Sequence, residues 1–230
     1  MSWTLILFAK EPVGGNVKTR LQGYLSQDRC VKLYKAFLRD TLDVMNKISC
    51  KHKIIAYDSH GKRPRYLKKI APHYAFYKQK GDSLGERMYN AFRFAKDTGA
   101  SKMVIIGSDS PTLPASSIKK SFGLLGRADV VLGPSFDGGY YLIGLKSPCV
   151  GLFKGITWSS PTVLENTIKN AHKLKKRVAL LDKRYDIDNI RTLFWLKNDL
   201  SKVKNRSVAR WTRKFMNSVI QITDKKGKIV

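Results

Sequence analysis

The chain has 230 residues, of which 43% are hydrophobic and 10% aromatic. This composition is typical of a globular protein and excludes a largely disordered one, and the length suffices for one sizeable core. Its 44 Lys and Arg residues outnumber its 17 Asp and Glu residues, which gives a formal charge of +27. Such an excess suits nucleic acid, but the basic residues are spread along the whole chain, which favours a solvated basic surface. We expect one domain over residues 1–222 and a basic, disordered tail over residues 223–230.

The sequence predicts neither export nor a membrane span. The longest apolar run near the N-terminus, Leu5 to Ala9, is too short to cross a bilayer and follows no basic stretch. The three cysteines, Cys30, Cys50 and Cys149, are an odd number without close spacing, which fits neither a disulfide framework nor a zinc site. We therefore expect reduced thiols and a cytoplasmic location.

Strands and helices are predicted to alternate through most of the chain. Trp3 to Ala9 is typical of a short buried strand, and Ser26 can cap a long amphipathic helix with apolar residues from Val31 to Ile48. This alternation predicts a single-domain, Rossmann-like α/β sandwich with a mainly parallel central sheet, helices on both faces, and a ligand site at the carboxyl ends of the strands. Further strands are expected at Lys53 to Tyr57, Tyr74 to Tyr77, Lys102 to Ile106, Asp129 to Leu132, Tyr140 to Leu145 and Arg177 to Leu181, and further helices at Arg65 to Ile70, Leu84 to Thr98, Pro114 to Leu125, Pro161 to Leu174 and from Ile190 onward.

The loop that follows the first strand, residues 10–20, combines paired glycines with several cations. Glycines let backbone amides approach a ligand closely, and Lys18 and Arg20 can neutralise phosphates. The loop matches neither the Gly-x-x-x-x-Gly-Lys-Ser/Thr pattern nor the Gly-x-Gly-x-x-Gly pattern. The loop alone therefore leaves two interpretations open, a nucleotide-binding loop and a simple solvated turn.

The turn Gly107-Ser108-Asp109-Ser110-Pro111 follows the strand that ends at Ile106. A carboxylate at that edge of the sheet can bind Mg²⁺ or Mn²⁺, and the metal can then bridge to a diphosphate. The alternative is that Asp109 caps the turn before Pro111 or the helix that begins near Pro114.

Two further acidic segments are expected at the same edge. Asp137, which precedes Gly138 and Gly139, can accept sugar hydroxyls or act as a base, or it can merely stabilise an Asx turn. Asp186 and Asp188 point to one side if their segment is extended, which offers a second metal ligand. Alternatively, Asp188 or its neighbour caps the following helix.

Taken in order, these segments resemble the selenodomain-associated transferases, a family with the glycosyltransferase-A, or nucleotide-diphospho-sugar transferase, fold. In this chain the Asp-x-Asp motif of the fold has one carboxylate, in Ser108-Asp109-Ser110. The matching stretches are Phe8 to Pro12, Val17 to Leu21, Leu84 to Met88, Gly107 to Pro114, Gly133-Pro134, Asp137 to Leu145 and Ile156 to Ser159.

The resemblance implies a sugar nucleotide donor over the first loop and a divalent metal, Mg²⁺ or Mn²⁺, at Asp109. We further expect Asp188 to serve as the second metal ligand and Asp137 to be the catalytic group that orients or deprotonates the acceptor. The segment Asp186-Ile187-Asp188-Asn189 also resembles one found in related nucleotidyltransferases. The remaining residues expected to bind nucleotide or substrate are Ala9, Lys10, Lys18, Arg20, Arg87, Ser108, Gly138, Gly139 and Tyr140.

Three functions are therefore compared. The first is metal-dependent transfer of a glycosyl group from a nucleotide diphosphate sugar to an unidentified acceptor. The second is nucleotidyl transfer, which releases pyrophosphate from a nucleoside triphosphate. The third is nucleic-acid binding by a basic protein that has retained an ancestral enzyme fold. The charge favours this hypothesis, and the lack of a recognition motif opposes it.

Overall fold

The computed structural model describes residues 2–59, 61 and 63–226, and for residues 219–226 only the backbone. Its strands and helices alternate as the sequence predicts. The strands are β1 (Trp3–Lys10), β2 (His52–Asp58), β3 (Ala75–Lys78), β4 (Lys102–Ile106), β5 (Val130–Pro134), β6 (Tyr140–Leu145) and β7 (Val178–Leu180). The helices are α1 (Gln27–Asn46), α2 (Arg65–Ile70), α3 (Leu84–Asp97), α4 (Ala115–Leu124), α5 (Val163–Lys173), α6 (Ile190–Lys202) and α7 (Arg210–Lys226), and short 3₁₀ turns lie at Thr19–Leu21 and Val150–Phe153.

The strands form one seven-stranded sheet in the order β3-β2-β1-β4-β6-β5-β7. Strand β6 is antiparallel to both of its neighbours, and the other pairs are parallel. The expected mainly parallel sheet is confirmed. Because β6 runs in the opposite direction, its first residues lie at the edge where the other central strands end.

Helices cover both faces of the sheet, which explains the continuous apolar runs in its central strands. Along β1, Leu5 and Leu7 pack in the cluster that includes α1, α2 and α4, whereas Ile6 packs on the opposite face with α3. The alternation follows from the two-residue period of a strand. The side chains in the middle of β1, from Thr4 to Leu7, are therefore buried whichever way they point.

Local capping sets the beginnings of the main helices. The Ser26 hydroxyl accepts a hydrogen bond from the Arg29 amide at the start of α1, as predicted, and Ser83 does the same for α3. The helix that we expected from Pro161 begins at Val163 instead, because Thr162 has the non-helical backbone of an N-cap. Predicted bounds elsewhere agree to within about two residues, the usual uncertainty of helix and strand ends.

Helices α6 and α7 form a third apolar cluster against α1, through residues such as Phe37 and Leu196. The Asp40 carboxylate of α1 accepts hydrogen bonds from the Trp211 and Thr212 amides, which belong to the first turn of α7. Of the expected tail, residues 223–226 are included in α7, and residues 227–230 lie outside the described residues. Among the helices described, none is both long and apolar enough to cross a membrane.

Candidate active site

A cleft of about 790 Å³ lies at the sheet edge where β1, β2 and β4 end and β6 begins. The first loop, the turn after β4, the β5–β6 turn and the segment before α6 all contribute to its walls. The position agrees with the rule that open α/β sheets bind ligands beyond the carboxyl ends of their strands. The charged and polar residues along it include Lys10, Lys18, Arg20, Asp58, Gln79, Arg87, Asp109, Asp137, Asp186 and Asp188.

Two carboxylates in the cleft converge on one cation. The Nζ atom of Lys18 lies 2.5 Å from Oδ1 of Asp109 and 3.3 Å from Oδ1 of Asp188. The aspartate side chains are 40% and 37% exposed, whereas the Lys18 side chain is only 3% exposed. The lysine therefore lies beneath the pair, and the two carboxylates face the cleft.

The environment of Lys18 fixes its side chain tightly. Its backbone is left-handed, with φ of 50°, and its Nζ also donates to the carbonyl oxygen of Ile187 at 2.5 Å and lies 5.1 Å from the centre of the Phe37 ring. Burial lowers the pKa of Lys18, but attraction by Asp109 and Asp188 outweighs burial and the pKa is raised above its ordinary value. Lys18 is thus a charged, buried ammonium.

The segment from residue 186 to 188 is held against the Asp109 turn. The Asp186 carboxylate accepts hydrogen bonds from the hydroxyls of Ser110 at 2.5 Å and Ser135 at 3.1 Å, and the Ile187 amide donates to the Asp109 carbonyl. Burial raises the pKa of Asp186 to about 6, against the Ser110 hydrogen bond, which lowers it. This packing places the Asp188 carboxylate close to Lys18, which also binds Asp109.

Of the capping alternatives, the one that involves Asn189 is confirmed, whereas neither Asp109 nor Asp188 caps a helix. Asn189 caps α6 through a reciprocal capping box with Thr192, so the Asp188 side chain is left to bind Lys18. Helix α4 begins after Pro114, without a side-chain cap. The Asp109 carboxylate accordingly contacts Lys18 and not the α4 amides.

A buried tyrosine joins the first loop to the Asp109 turn. The Tyr34 hydroxyl accepts a hydrogen bond from the Lys10 amide and shares another with the Ser108 hydroxyl, each at 2.9 Å. Burial raises the pKa of Tyr34, so the phenol stays protonated and can donate to Ser108. Sequence reasoning assigned Tyr34 only to the apolar face of α1, because periodicity does not show what a buried hydroxyl contacts.

The β5–β6 turn places Asp137 at the cleft. Its Oδ1 accepts a hydrogen bond from the Gly139 amide at 3.0 Å, so the expected Asx-type turn is present, and the side chain also lines the cleft. Gly138 has φ of 90°, and an added Cβ would lie 2.0 Å from the Pro161 carbonyl oxygen. Glycine is therefore required there for backbone packing.

Arg87 lies at the opposite wall of the cleft. Its Nη1 donates to Oδ2 of Asp58 at 3.3 Å, and its Nε donates to the Gly81 carbonyl.

Glu11, which is part of the first loop, accepts hydrogen bonds from the Tyr66 and Leu67 amides at the start of α2. The Glu11 carboxylate is thus a helix cap, whereas Arg87 lines the cleft.

The cleft brings together almost all of the predicted residues. Gly138 is the exception, since it contacts the start of α5 and does not line the cleft. Sequence reasoning assigned no site role to several lining residues, although Gln79 follows β3 directly and could have been found by its place at a strand end. The predicted residues at the cleft are Ala9, Lys10, Lys18, Arg20, Arg87, Ser108, Asp109, Asp137, Gly139, Tyr140, Asp186 and Asp188, and the additional ones include Tyr34, Asp58, Gln79 and Trp158.

The donor set fits a hard divalent cation in part. Asp109 and Asp188 reach the same nitrogen atom, so their carboxylates can share a cation. In the described part of the chain, no group of three or more His, Cys, Asp and Glu residues is placed to hold a metal. Phosphate oxygens and water would therefore have to complete the six ligands that Mg²⁺ prefers.

Comparison with known protein families identifies one match. Residues 41–160 match the family described as uncharacterized protein conserved in bacteria, DUF2064. Comparison with functionally curated proteins gave no match.

Solved structures show the same fold. A candidate nucleotide-diphospho-sugar transferase from Desulfovibrio desulfuricans G20 is 31% identical with a TM-score of 0.84, over 96% of this chain and 98% of that one. A cytidylyltransferase from Leptospira borgpetersenii serovar Hardjo-bovis is 12% identical with a TM-score of 0.59, over 99% and 95%. Rv0371c from Mycobacterium tuberculosis H37Rv, in complex with manganese, is 13% identical with a TM-score of 0.51, over 88% and 100%. The last two show likeness of fold alone.

Proposed function

The chain belongs to the DUF2064 family and has the nucleotide-diphospho-sugar transferase fold, and on that premise we propose that it transfers a glycosyl group from a nucleotide diphosphate sugar to an acceptor. The expected superfamily and fold are confirmed, and the donor and the reaction are the proposal. It is supported by the 31% identity to the Desulfovibrio protein over nearly the whole of both chains.

One observation carries the proposal. Asp109 and Asp188, from segments about 80 residues apart in sequence, converge on one cationic position at the floor of a cleft of about 790 Å³. That volume lies within the range of about 300–1,000 Å³ that is common for small-molecule sites. Exposed Lys10 and Arg20 line the same cleft, so it offers both signs of charge that a metal-assisted diphosphate site requires.

Residues of the chain can carry out the other parts of the reaction. Arg20 and Lys10 bind the diphosphate and stabilise the negative charge that develops on it as the bond to the anomeric carbon breaks. Asp137 accepts the proton of the acceptor hydroxyl as the new carbon–oxygen bond forms, while the departing diphosphate keeps the bonding electron pair. A divalent metal held by Asp109 and Asp188 would supply additional charge stabilisation.

A thermal-unfolding screen of nucleotide diphosphate sugars with Mn²⁺ tests the proposal. A ligand at about 100 times its Kd adds roughly 2.7 kcal/mol to the free energy of unfolding, which is readily detected. We expect stabilisation of the parent and of Asp182→Asn, whose side chain is 87% exposed, and none of Asp109→Asn. The proposal is wrong if no nucleotide diphosphate sugar stabilises the parent, or if Asp109→Asn responds equally.

Nucleotidyl transfer is the second candidate, favoured by the cytidylyltransferase-like fold and by the placement of Asp186 and Asp188 in the cleft. It differs in chemistry, because a phosphorylated substrate attacks the α-phosphate of a nucleoside triphosphate and pyrophosphate leaves. Incubation with each nucleoside triphosphate and candidate sugar phosphates, followed by a pyrophosphate assay, separates the two. Pyrophosphate release by the parent, but not by Asp109→Asn, would favour nucleotidyl transfer.

A further inference from the structure

The ammonium group of Lys18 is fully engaged within the protein. A protonated lysine has three N–H donors, and Nζ of Lys18 has three oxygen partners, on Asp109, Asp188 and Ile187. With 3% of its side chain exposed, it can bind a phosphate only by giving up one of these partners. This arrangement differs from the phosphate-binding role that the sequence suggested for Lys18.

The two ion pairs of Lys18 also determine the net charge around the Asp109 and Asp188 carboxylates. Asp109 and Asp188 carry one negative charge each and Lys18 one positive charge, so the three groups together have a charge of −1. A divalent cation beside these carboxylates would be within a few ångströms of a buried, poorly screened ammonium, and the two would repel each other. Another cleft carboxylate, Asp186, accepts hydrogen bonds from the hydroxyls of Ser110 and Ser135 and makes no bond to Lys18.

The backbone of Lys18 has a strained, left-handed conformation. A non-glycine residue in the left-handed region is sterically disfavoured and persists only where its surroundings hold it. Here a left-handed backbone (φ 50°), two ion pairs and contact with the Phe37 ring together direct the side chain beneath the carboxylates. Strain at a cleft residue is characteristic of functional positions.

We propose that Lys18 is a positioning residue and built-in counter-ion, which holds Asp109 and Asp188 together and keeps their affinity for a divalent metal low until a diphosphate contributes its own negative charge. The inference deepens the proposed function and rests on it for the nature of the anion. Metal and donor would then enter as one complex, because the protein alone attracts the metal weakly.

Titration of the nucleotide-free, full-length protein with Mn²⁺, with free Mn²⁺ followed by electron paramagnetic resonance, tests the inference. Lys18→Met and Lys18→Gln change the summed charge of positions 18, 109 and 188 from −1 to −2, and Asp188→Asn changes it to 0. Lys18→Met combined with Asp188→Asn returns the summed charge to −1. We expect at least tenfold tighter Mn²⁺ binding for either Lys18 variant, parent-like binding for the double variant and the weakest binding for Asp188→Asn. Lys169→Met is the control, since it removes a cation outside the cleft, with a side chain 62% exposed, and should change Mn²⁺ affinity less than threefold.

Lys18→Gln keeps hydrogen-bonding atoms beneath the carboxylates. If Lys18→Met does not unfold cooperatively, the Mn²⁺ affinity of Lys18→Gln tests the inference in its place. The inference is overturned if the folded Lys18 variants bind Mn²⁺ no more tightly than the parent. Failure of the proposed function is a separate result. If Asp109→Asn and Asp188→Asn both leave the Mn²⁺ affinity of Lys18→Gln unchanged, these carboxylates do not form the metal site.

Discussion

Tyr34→Phe should loosen the connection between the first loop and the Asp109 turn without changing the shape of the core. The substitution removes one hydroxyl, which is bonded to the Lys10 amide and to Ser108 at 2.9 Å each, in a side chain only 3% exposed. A buried polar group left without its partner costs about 1–3 kcal/mol. We expect a loss of about 2 kcal/mol in the free energy of unfolding, or roughly 4–8 °C in Tm for a protein of this size.

Urea unfolding of the parent, Tyr34→Phe and Tyr24→Phe measures this loss. Tyr24 is 53% exposed, so its hydroxyl is hydrated in the folded and unfolded states and its removal should change stability by less than about 0.5 kcal/mol. Equal stability of the two variants would show that the Tyr34 hydroxyl does not join the two segments as we infer. If Tyr34→Phe also weakens donor binding, the loop and the turn act together in the site.

Three other substitutions test parts of the fold that shape the cleft. Gly138→Ala should destabilise the protein by more than about 2 kcal/mol, because the new Cβ would meet the Pro161 carbonyl at 2.0 Å, whereas Gly139→Ala, with its nearest contact at 3.3 Å, should cost less. Asp40→Ala should cost about 2 kcal/mol in urea unfolding and increase proteolysis of α7, because two first-turn amides lose their acceptor. Glu11→Ala should cost about 1–2 kcal/mol for the same reason at α2.

The formal charge of +27 favours nucleic acid as a partner on charge alone. The cleft itself contains both acidic and basic residues, so it is not a simple basic groove for nucleic acid. Binding to RNA that falls steeply with salt, without any response to nucleotides, would favour the nucleic-acid hypothesis over a transferase.

The order and kind of the secondary structure were predictable because each element has a strong local signal. Apolar strands such as Lys102–Ile106 and Tyr140–Leu145 were predicted with the bounds that the structure has. Ser26 gave the start of α1 because an N-cap hydroxyl acts within its own turn. Less was predictable after Ile190, where two helices pack on α1 through apolar contacts that give no local signal of their ends.

The gathering of the candidate residues at one cleft was predictable from their places at strand ends, but the interactions between them were not. Sequence alone determined that Asp109, Asp137 and Asp188 would gather at one edge, since parallel strands deliver their carboxyl ends to the same side of the sheet. Only the tertiary structure decided that Lys18 lies beneath Asp109 and Asp188, because these contacts join Lys18 to residues about 90 and 170 positions away and depend on a left-handed backbone at Lys18. A sequence shows which charges a site possesses, whereas burial and three-dimensional distance decide which charges neutralise one another.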